Sequence, residues 1–277
     1  MIGVYDSGSG GLTVLRALRR ALPQVDFVYF GDHAFAPYGE KDLGNLYDRG
    51  CHSVDFLFRQ GCSLVVVACN TSAATVLRPI QQNWLAERHP DKRVLGVFVP
   101  LIEQITGVAW SQKKPRPAPR KTVAVFATAR TVSCNALGEE VFRRARGVHL
   151  VPQSCPALAA AIEDDACPDV LDSLVATYVR RLQRQCRDNL DEVVLGCTHY
   201  PLVSEMFRRH LTANTVVLSQ PDIVAHSLEN YIRRNTTLGL VSEGKGELTC
   251  FTSGDPRRAH RAARRFLGQD LSFGQAA

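Results

Sequence analysis

The chain has 277 residues, of which 45% are hydrophobic and 22% charged, with a net charge of +6 and nine cysteines. This length predicts about two domains, and the composition is that of a globular protein. Because no apolar run reaches the roughly 18 residues of a membrane helix, a membrane partner is excluded. The odd number of cysteines and the lack of a C-x-x-C pair argue against a disulfide framework. We therefore expect a cytoplasmic protein without a signal peptide.

The basic residues are concentrated in two stretches, 113–121 and 257–265. Residues 111–121 are rich in proline and basic side chains, which predicts an exposed loop, and the second stretch predicts a solvated helix face. A pI near 8.9 can indicate a nucleic-acid footprint. We instead interpret the excess as a contribution to solubility and do not expect a nucleic-acid partner.

Strands and helices alternate along the chain. The predicted strands are 2–5, 27–30, 64–68, 94–97, 122–127, 148–151, 193–196, 215–218 and 248–252. The predicted helices are 12–22, 43–60, 72–85, one ending near Trp110, 136–145, one containing Glu163, 170–185, 201–211, 223–233 and 256–267. This alternation predicts an α/β fold with mainly parallel sheets.

The pattern also looks duplicated, because each half contains one strand that ends in a cysteine and one that ends in a hydroxyl-rich turn. Two similar α/β domains are therefore expected. Small ligands bind at the carboxyl ends of parallel strands, so we predict an active site in the cleft between the domains.

The first strand runs into the glycine-rich turn 6–11, which leads into a helix. Free amides at the start of that helix would favour an anion. A dinucleotide site is a weaker alternative, because Thr13 stands where the G-x-G-x-x-G fingerprint needs its third glycine.

Two apolar runs deliver a cysteine at the end of a buried strand, Cys69 in the first half and Cys197 in the second. Inverting a stereocentre requires a base on one face of the carbon and an acid on the other, and two thiols can supply both. Asp6 and His199 could act as proton partners for these thiols. The donors that would stabilise a carbanion are Asn70, Thr71 and Thr198.

Other interpretations remain open at this stage. Most cysteines are packing residues, and we assign that role to the other seven. Cys197 beside His199 could instead be the nucleophile of a cysteine hydrolase, or the protein could bind an amino acid without turning it over. A metal site is not expected, because the cysteines and histidines lack ligand spacing apart from Cys197 and His199.

Four motifs in order resemble the glutamate racemase family, and the likeness runs nearly from end to end. They are Asp6–Leu12, Pro37–Gly39, Cys69–Ala73 and Gly196–Leu202, with a closing stretch at Thr252–Pro256.

The resemblance implies cofactor-independent interconversion of L- and D-glutamate, which supplies D-glutamate for peptidoglycan. It implies that Cys69 acts on the D-enantiomer and Cys197 on the L-enantiomer, assisted by Asp6 and His199, with Glu163 joining the second side. The substrate contacts that it implies are Asp6, Ser7, Tyr38, Gly39, Asn70, Thr71, Thr131, Thr198 and His199. It also implies a homodimer and two α/β domains, 1–96 plus 210–277 and 97–209.

The chain departs from the family pattern in several places. The usual Gly-Thr-x-x-Thr turn is Ala127–Thr131 here, and a serine and a tyrosine usual after it are Cys134 and Leu137. The 113–121 stretch looks like an insertion, and Ser219-Gln220 replaces the usual Ile-Asp. These changes bear on substrate tuning and dimer mode rather than on the type of reaction.

Overall fold

The structure is a computed structural model that describes residues 1–112, 114–186, 190–235 and 244–276. The strands are β1 Ile2–Asp6, β2 Phe27–Gly31, β3 Leu64–Val67, β4 Arg93–Gly96, β5 Arg116–Ala127, β6 Ala145–Ser154, β7 Glu192–Gly196, β8 Val216–Leu218, β9 Leu248–Thr252 and β10 Phe273–Gln275.

The α-helices are α1 Leu12–Ala21, α2 Leu43–Arg59, α3 Asn70–Thr75, α4 Leu77–Pro79, α5 Leu85–Arg88, α6 Phe98–Thr106, α7 Ala129–Ser133, α8 Ala136–Arg144, α9 Leu158–Glu163, α10 Pro168–Cys186, α11 Ser204–His210, α12 Gln220–Arg234 and α13 Pro256–Leu267. A π-helical segment, Ile80–Trp84, joins α4 to α5. Short 3₁₀ helices lie at His33–Phe35, Tyr38–Glu40 and Tyr200–Val203.

The chain divides into two compact units. The first unit comprises Met1–Val97 and Pro221–Ala277, and the second comprises Phe98–Gln220. The predicted second domain stops at residue 209, whereas the second unit continues to Gln220. It does so because β8 pairs in parallel with β7 and so belongs to the sheet of the second unit.

Both units contain a parallel sheet, which confirms the predicted fold class of two similar α/β domains. Within the described residues, the strand order is β10-β9-β2-β1-β3-β4 in the first unit and β6-β5-β7-β8 in the second. The order β2-β1-β3-β4 of the first unit is repeated as β6-β5-β7-β8 in the second. In each unit, the first of these four strands along the chain lies between the second and the third, and the fourth lies beside the third. The duplication predicted from the sequence is therefore a duplication of topology.

The central strands are apolar along almost their whole length because helices cover such sheets on both faces. In the first unit β1, β2 and β3 are buried at every position. One side of this core is a cluster that joins Tyr5 and Phe30 to Leu57 and Val67 and extends to Cys69. The thiol at the end of β3 therefore lies at the boundary of a packed interior.

Residues 116–121 are exposed or half-buried, as predicted, but they form the start of a strand rather than a loop. Arg116 begins β5, which pairs with β6 and shifts register between Pro117 and Lys121. On its other side β5 meets β7 only from Val123. The prolines are tolerated because this part of the strand has a ladder on one side only among the described strands. Lys113 lies outside the described residues.

Three smaller predictions also need correction. The helix expected to end near Trp110 ends at Thr106, because Gly107 adopts a left-handed backbone conformation with φ of +66°. The helix expected over 72–85 begins earlier, at Asn70, and is broken into segments. The short strand β10 was not predicted, since three residues carry too little periodicity to be recognised.

Candidate active site

The first cluster of candidate residues lies where the strand order of the first sheet reverses. β2 and β3 lie on opposite sides of β1, so the segments that follow β1 and β3 diverge to either side. Ligands bind at the carboxyl ends of strands at such a switch point. Asp6 is the last residue of β1, and Cys69 lies just after β3 at the start of α3.

Asp6 is completely buried at the base of the glycine turn. The backbone N–H of Gly8 donates a hydrogen bond of 3.0 Å to its Oδ2. A Cβ at Gly11 would lie 2.4 Å from the Asp6 Cβ, so only glycine allows the start of α1 to approach this carboxylate. The turn is therefore built around Asp6, and Gly11, rather than Asp6, is the N-cap of α1.

The Cys69 thiol is buried and donates to Ser7 Oγ at 3.5 Å. Burial, and then the negative charge of Asp6, raise the pKa of Cys69 to about 11. The Ser72 amide and the Ser7 hydroxyl act in the opposite direction, as does the Ser72 hydroxyl when its proton is directed at the sulfur rather than at Tyr5; the amide does not complete an N-cap hydrogen bond. The environment of Cys69 therefore favours the protonated thiol.

Tyr38 belongs to a buried hydrogen-bond network. Its hydroxyl donates to Asp32 Oδ2, and the hydroxyl of Tyr5 donates to Tyr38 at 2.9 Å. Arg49 holds both oxygens of Asp32, with Nε 3.0 Å from Oδ2 and Nη2 2.7 Å from Oδ1. Gly39 follows Tyr38 in the same 3₁₀ turn.

Asp32 and Arg49 were not among the residues singled out from the sequence. A signal was present, because Asp32 follows the end of β2 just as Asp6 ends β1. A carboxylate directly after a buried parallel strand faces the edge where ligands bind. The arginine that pairs with it comes from α2, 17 positions later, and no local pattern links the two.

Asn70 and Thr71 are the first two residues of α3, and both side chains are buried. They follow Cys69 directly, so the strand end brings a thiol, an amide and a hydroxyl to one place. Of the predicted site residues, the structure thus gathers those of the first unit at the ends of β1 and β3 and in the 3₁₀ turn at Tyr38–Glu40.

The second cluster occupies the corresponding switch point of the other sheet, where β6 and β7 flank β5. Cys197 follows β7 directly, and its Sγ lies 3.7 Å from Nδ1 of His199. The other ring nitrogen, Nε2, lies 2.6 Å from Oε2 of Glu163, the last residue of α9. The predicted grouping of Cys197, His199 and Glu163 is present in the structure as a continuous relay.

Charge stabilises the imidazolium form of His199. Burial of the ring opposes protonation, but its hydrogen bonds with Cys197 and Glu163 outweigh burial and raise the pKa of His199 well above its usual value. A carboxylate on one nitrogen also fixes how the ring is oriented toward the sulfur. A ring whose protonated form is stabilised therefore lies beside the Cys197 sulfur, whereas the carboxylate of Asp6 acts on Cys69.

Thr131 and Thr198 complete the second cluster. Thr128 caps α7, and its Oγ1 lies 2.9 Å from Oγ1 of Thr131 and accepts from the Thr131 amide at 3.3 Å. Thr131 and Thr198 are both buried. The hydroxyl pair at the end of β5 is thus present with Ala127 in place of the usual glycine.

Some candidate groups do not join either cluster. Cys167 is exposed, so its assignment as a packing residue was wrong, whereas Cys62, Cys155 and Cys250 are buried as expected.

Within the part of the chain that the structure describes, no group of three or more His, Cys, Asp or Glu side chains could hold a metal ion. Among those same residues, no helix is long and apolar enough to cross a lipid bilayer.

No protein-family model matches the chain, but individual relatives do. It is 43% identical over 276 residues to the glutamate racemase of Roseobacter denitrificans, with 99% of each chain covered. The chain belongs to the glutamate racemase family. The solved glutamate racemase RacE1 of Bacillus anthracis has the same fold, with a TM-score of 0.84, 26% identity and coverage of 100% of this chain and 97% of that one.

A second solved structure, the Francisella tularensis glutamate racemase in complex with D-glutamate, shares the fold at a TM-score of 0.84, 23% identity and coverage of 100% and 97% of the two chains. Membership of the glutamate racemase family makes the chain an amino-acid racemase, in agreement with the resemblance seen in its motifs. The hydrolase and the non-catalytic binding protein, which the residues alone had left open, are thereby set aside.

Proposed function

We propose that the protein interconverts L- and D-glutamate by a cofactor-independent mechanism in which Cys69 and Cys197 exchange protons with Cα. One observation carries this proposal: the two thiols occupy the same topological position in the four-strand order that the two sheets share. Each has its own acid–base environment, so neither thiol is surplus, whereas a hydrolase would use one of them.

The two thiols have different surroundings. Burial and Asp6 keep Cys69 as a thiol, while the raised pKa of His199 supplies a ring beside Cys197 that can hold a proton. Racemisation of L-glutamate requires a thiolate as base on the Cys197 side and a thiol as acid on the Cys69 side.

In the L-to-D direction, the Cys197 thiolate removes the Cα proton and becomes a thiol. The electron pair of the broken C–H bond is held as a carbanion delocalised into the α-carboxylate. Cys69 then gives its proton to the opposite face of Cα and becomes a thiolate. The D-to-L direction runs the same steps in reverse, with Cys69 as the base.

The other predicted residues support these steps. Asp6 is the proton partner on the Cys69 side, and His199, oriented by Glu163, is the partner on the Cys197 side. Delocalised charge on the carboxylate needs hydrogen-bond donors aimed at it. We assign the binding of the substrate carboxylates and amine to Asp6, Ser7, Tyr38, Gly39, Asn70, Thr71, Thr131, Thr198 and His199.

We further propose that the D-glutamate is used for peptidoglycan synthesis in the cytoplasm and that the enzyme works as a homodimer. Rescue of a D-glutamate auxotroph by the expressed chain tests the first statement. Sedimentation of the purified protein at micromolar concentration, with and without D-glutamate, tests the second.

The reaction itself is tested by incubating L-glutamate with the enzyme in D₂O. We expect D-glutamate that carries solvent deuterium at Cα, and its absence from the product would rule out proton exchange. The Cys69→Ala and Cys197→Ala variants should each lose racemisation. Full activity in either one would eliminate the two-base assignment, and Cys62→Ala serves as a control for removal of a buried thiol.

A further inference from the structure

A chain of hydroxyl groups runs through the interior behind Cys69. Ser72 Oγ lies 3.4 Å from the Tyr5 hydroxyl, the Tyr5 hydroxyl lies 2.9 Å from that of Tyr38, and Tyr38 contacts Asp32. Ser72, Tyr5 and Asp32 are each at most 1% exposed, so no solvent competes for these hydrogen bonds.

The direction of this chain is determined at its far end. The Asp32 carboxylate is bound by Arg49 through two hydrogen bonds, and an ionised carboxylate can only accept. Tyr38 must therefore donate to Asp32. Because each hydroxyl has a single proton, Tyr5 must donate to Tyr38, and the oxygen of Tyr5 is left to accept from Ser72.

The Ser72 hydroxyl has two alternative acceptors. One is the oxygen of Tyr5, 3.4 Å away, and the other is the sulfur of Cys69, because Cys69 is the N-cap of α3 and Ser72 is the third residue of that helix. The one proton of the hydroxyl can serve only one of them at a time. A hydrogen bond donated to the sulfur would stabilise the thiolate, since a hydrogen bond to a charged form favours that form. Which acceptor holds the proton therefore affects the basicity of Cys69.

We propose that Tyr5 is a positioning residue for Cys69: by accepting the Ser72 proton, its hydroxyl withdraws that donor from the sulfur and keeps Cys69 protonated and ready to act as an acid. This inference rests on the catalytic role of Cys69 in the proposed function. Tyr5 has no contact with the reacting atoms in this scheme and acts only through Ser72.

Among the described residues, groups from three parts of the first unit act on Cys69. Asp6 and Tyr5 approach it from β1, Ser7 from the glycine turn and Ser72 from α3. Arg49 and Asp32 influence it through Tyr38 and Tyr5. Of these, the Ser72 hydroxyl has the Tyr5 oxygen as an alternative acceptor, so a substitution at Tyr5 tests this link without removing Ser72.

The test is the pH dependence of Cys69 alkylation by iodoacetamide in the full chain, measured by mass spectrometry of the Cys69 peptide. In Tyr5→Phe the Ser72 hydroxyl can donate to the Cys69 sulfur, and the pH midpoint of Cys69 alkylation should fall by about one pH unit. Because nucleophilicity falls with pKa, the net gain in alkylation rate at pH 8 should be about three- to fourfold.

Two further variants make the result specific. Ser72→Ala should change the pH profile of Cys69 alkylation little, because in the wild type the Ser72 hydroxyl donates to Tyr5 rather than to the sulfur. Tyr5→Phe should have no effect in the Ser72→Ala background. Cys62 and Cys250, buried in the same unit, report on local unfolding and should keep their profiles. If Tyr5→Phe does not fold, Tyr38→Phe interrupts the series of hydrogen bonds one hydroxyl further from Cys69. It should lower the pH midpoint of Cys69 alkylation in the same way.

An unchanged Cys69 midpoint in a folded Tyr5→Phe protein would overturn the inference, as would an equal shift in the Ser72→Ala background. These alkylation results do not depend on turnover. If Cys69→Ala still racemised glutamate, the proposed function would fail while the link from Tyr5 to the thiol would still be measured.

Discussion

Glu163 and His199 are joined by a hydrogen bond of 2.6 Å between Oε2 and Nε2, and the opposite nitrogen of the same ring faces Cys197. The carboxylate and the sulfur thus act on one imidazole from its two ends. Because both raise the pKa of His199, the ring can hold a proton taken from the thiol. Several properties of the protein depend on this relay and on the turn that surrounds Asp6.

Replacing Glu163 by glutamine keeps the size of the side chain and removes its charge. His199 then loses part of the stabilisation of its protonated form, and we expect kcat with L-glutamate to fall by about 10²-fold. Steady-state polarimetry measures this change. Glu192→Gln is the control, because Glu192 pairs with Lys121 near the start of β7, and a comparable loss there would show that the effect is not specific to the relay.

The raised pKa of His199 also predicts how stability depends on pH. A histidine whose pKa is higher in the folded state stabilises the fold fully below its unfolded pKa of about 6.5. That contribution is lost as the pH rises through the folded-state value. Urea unfolding of wild type and His199→Asn should therefore differ most near pH 6 and converge in alkaline solution. A difference that grew with pH would contradict the assignment.

Gly11→Ala should disturb Asp6 directly. The new Cβ would lie 2.4 Å from the Asp6 Cβ, and neither atom can move without shifting its backbone. We expect a loss of about 1–3 kcal/mol in the free energy of unfolding and at least tenfold lower kcat. Gly44→Ala is the matched control, since its nearest neighbour is the Asp42 side chain at 3.3 Å, and wild-type kinetics in Gly11→Ala would refute the role of the turn.

The ion pair behind Tyr38 predicts a contrast between two arginines of α2. Asp32 is fully buried, so Arg49→Met leaves an unpaired buried charge, and we expect a loss of about 3–5 kcal/mol. Arg59 pairs with Asp55 at the surface, and Arg59→Met should cost less than about 1 kcal/mol. Urea denaturation of both variants measures the contrast, and equal losses would show that the buried pair contributes nothing particular.

The sequence was sufficient for most of the element order, although not for β10 or the breaks between α3, α4 and α5, because apolar runs and glycine or proline boundaries are local signals. It failed at residues 116–121, where prolines indicated a loop. Whether proline is tolerated in β5 depends on whether that part of the strand has a neighbour on both sides, and neighbours are a tertiary property. Gly107, by contrast, was a local signal for the end of α6 that could have been used.

The two cysteines, the glycine turn and the family were determined by the sequence alone, since each rests on residue types at short spacing. Only the tertiary structure decided the hydrogen bonds that surround the thiols and their partners. Glu163 reaches His199 across 36 positions, and Arg49 reaches Tyr5 through Asp32 and Tyr38. Proton transfer and hydrogen bonding require atoms that are close in space. In this protein strand pairing and packing, rather than adjacency along the chain, bring those atoms together.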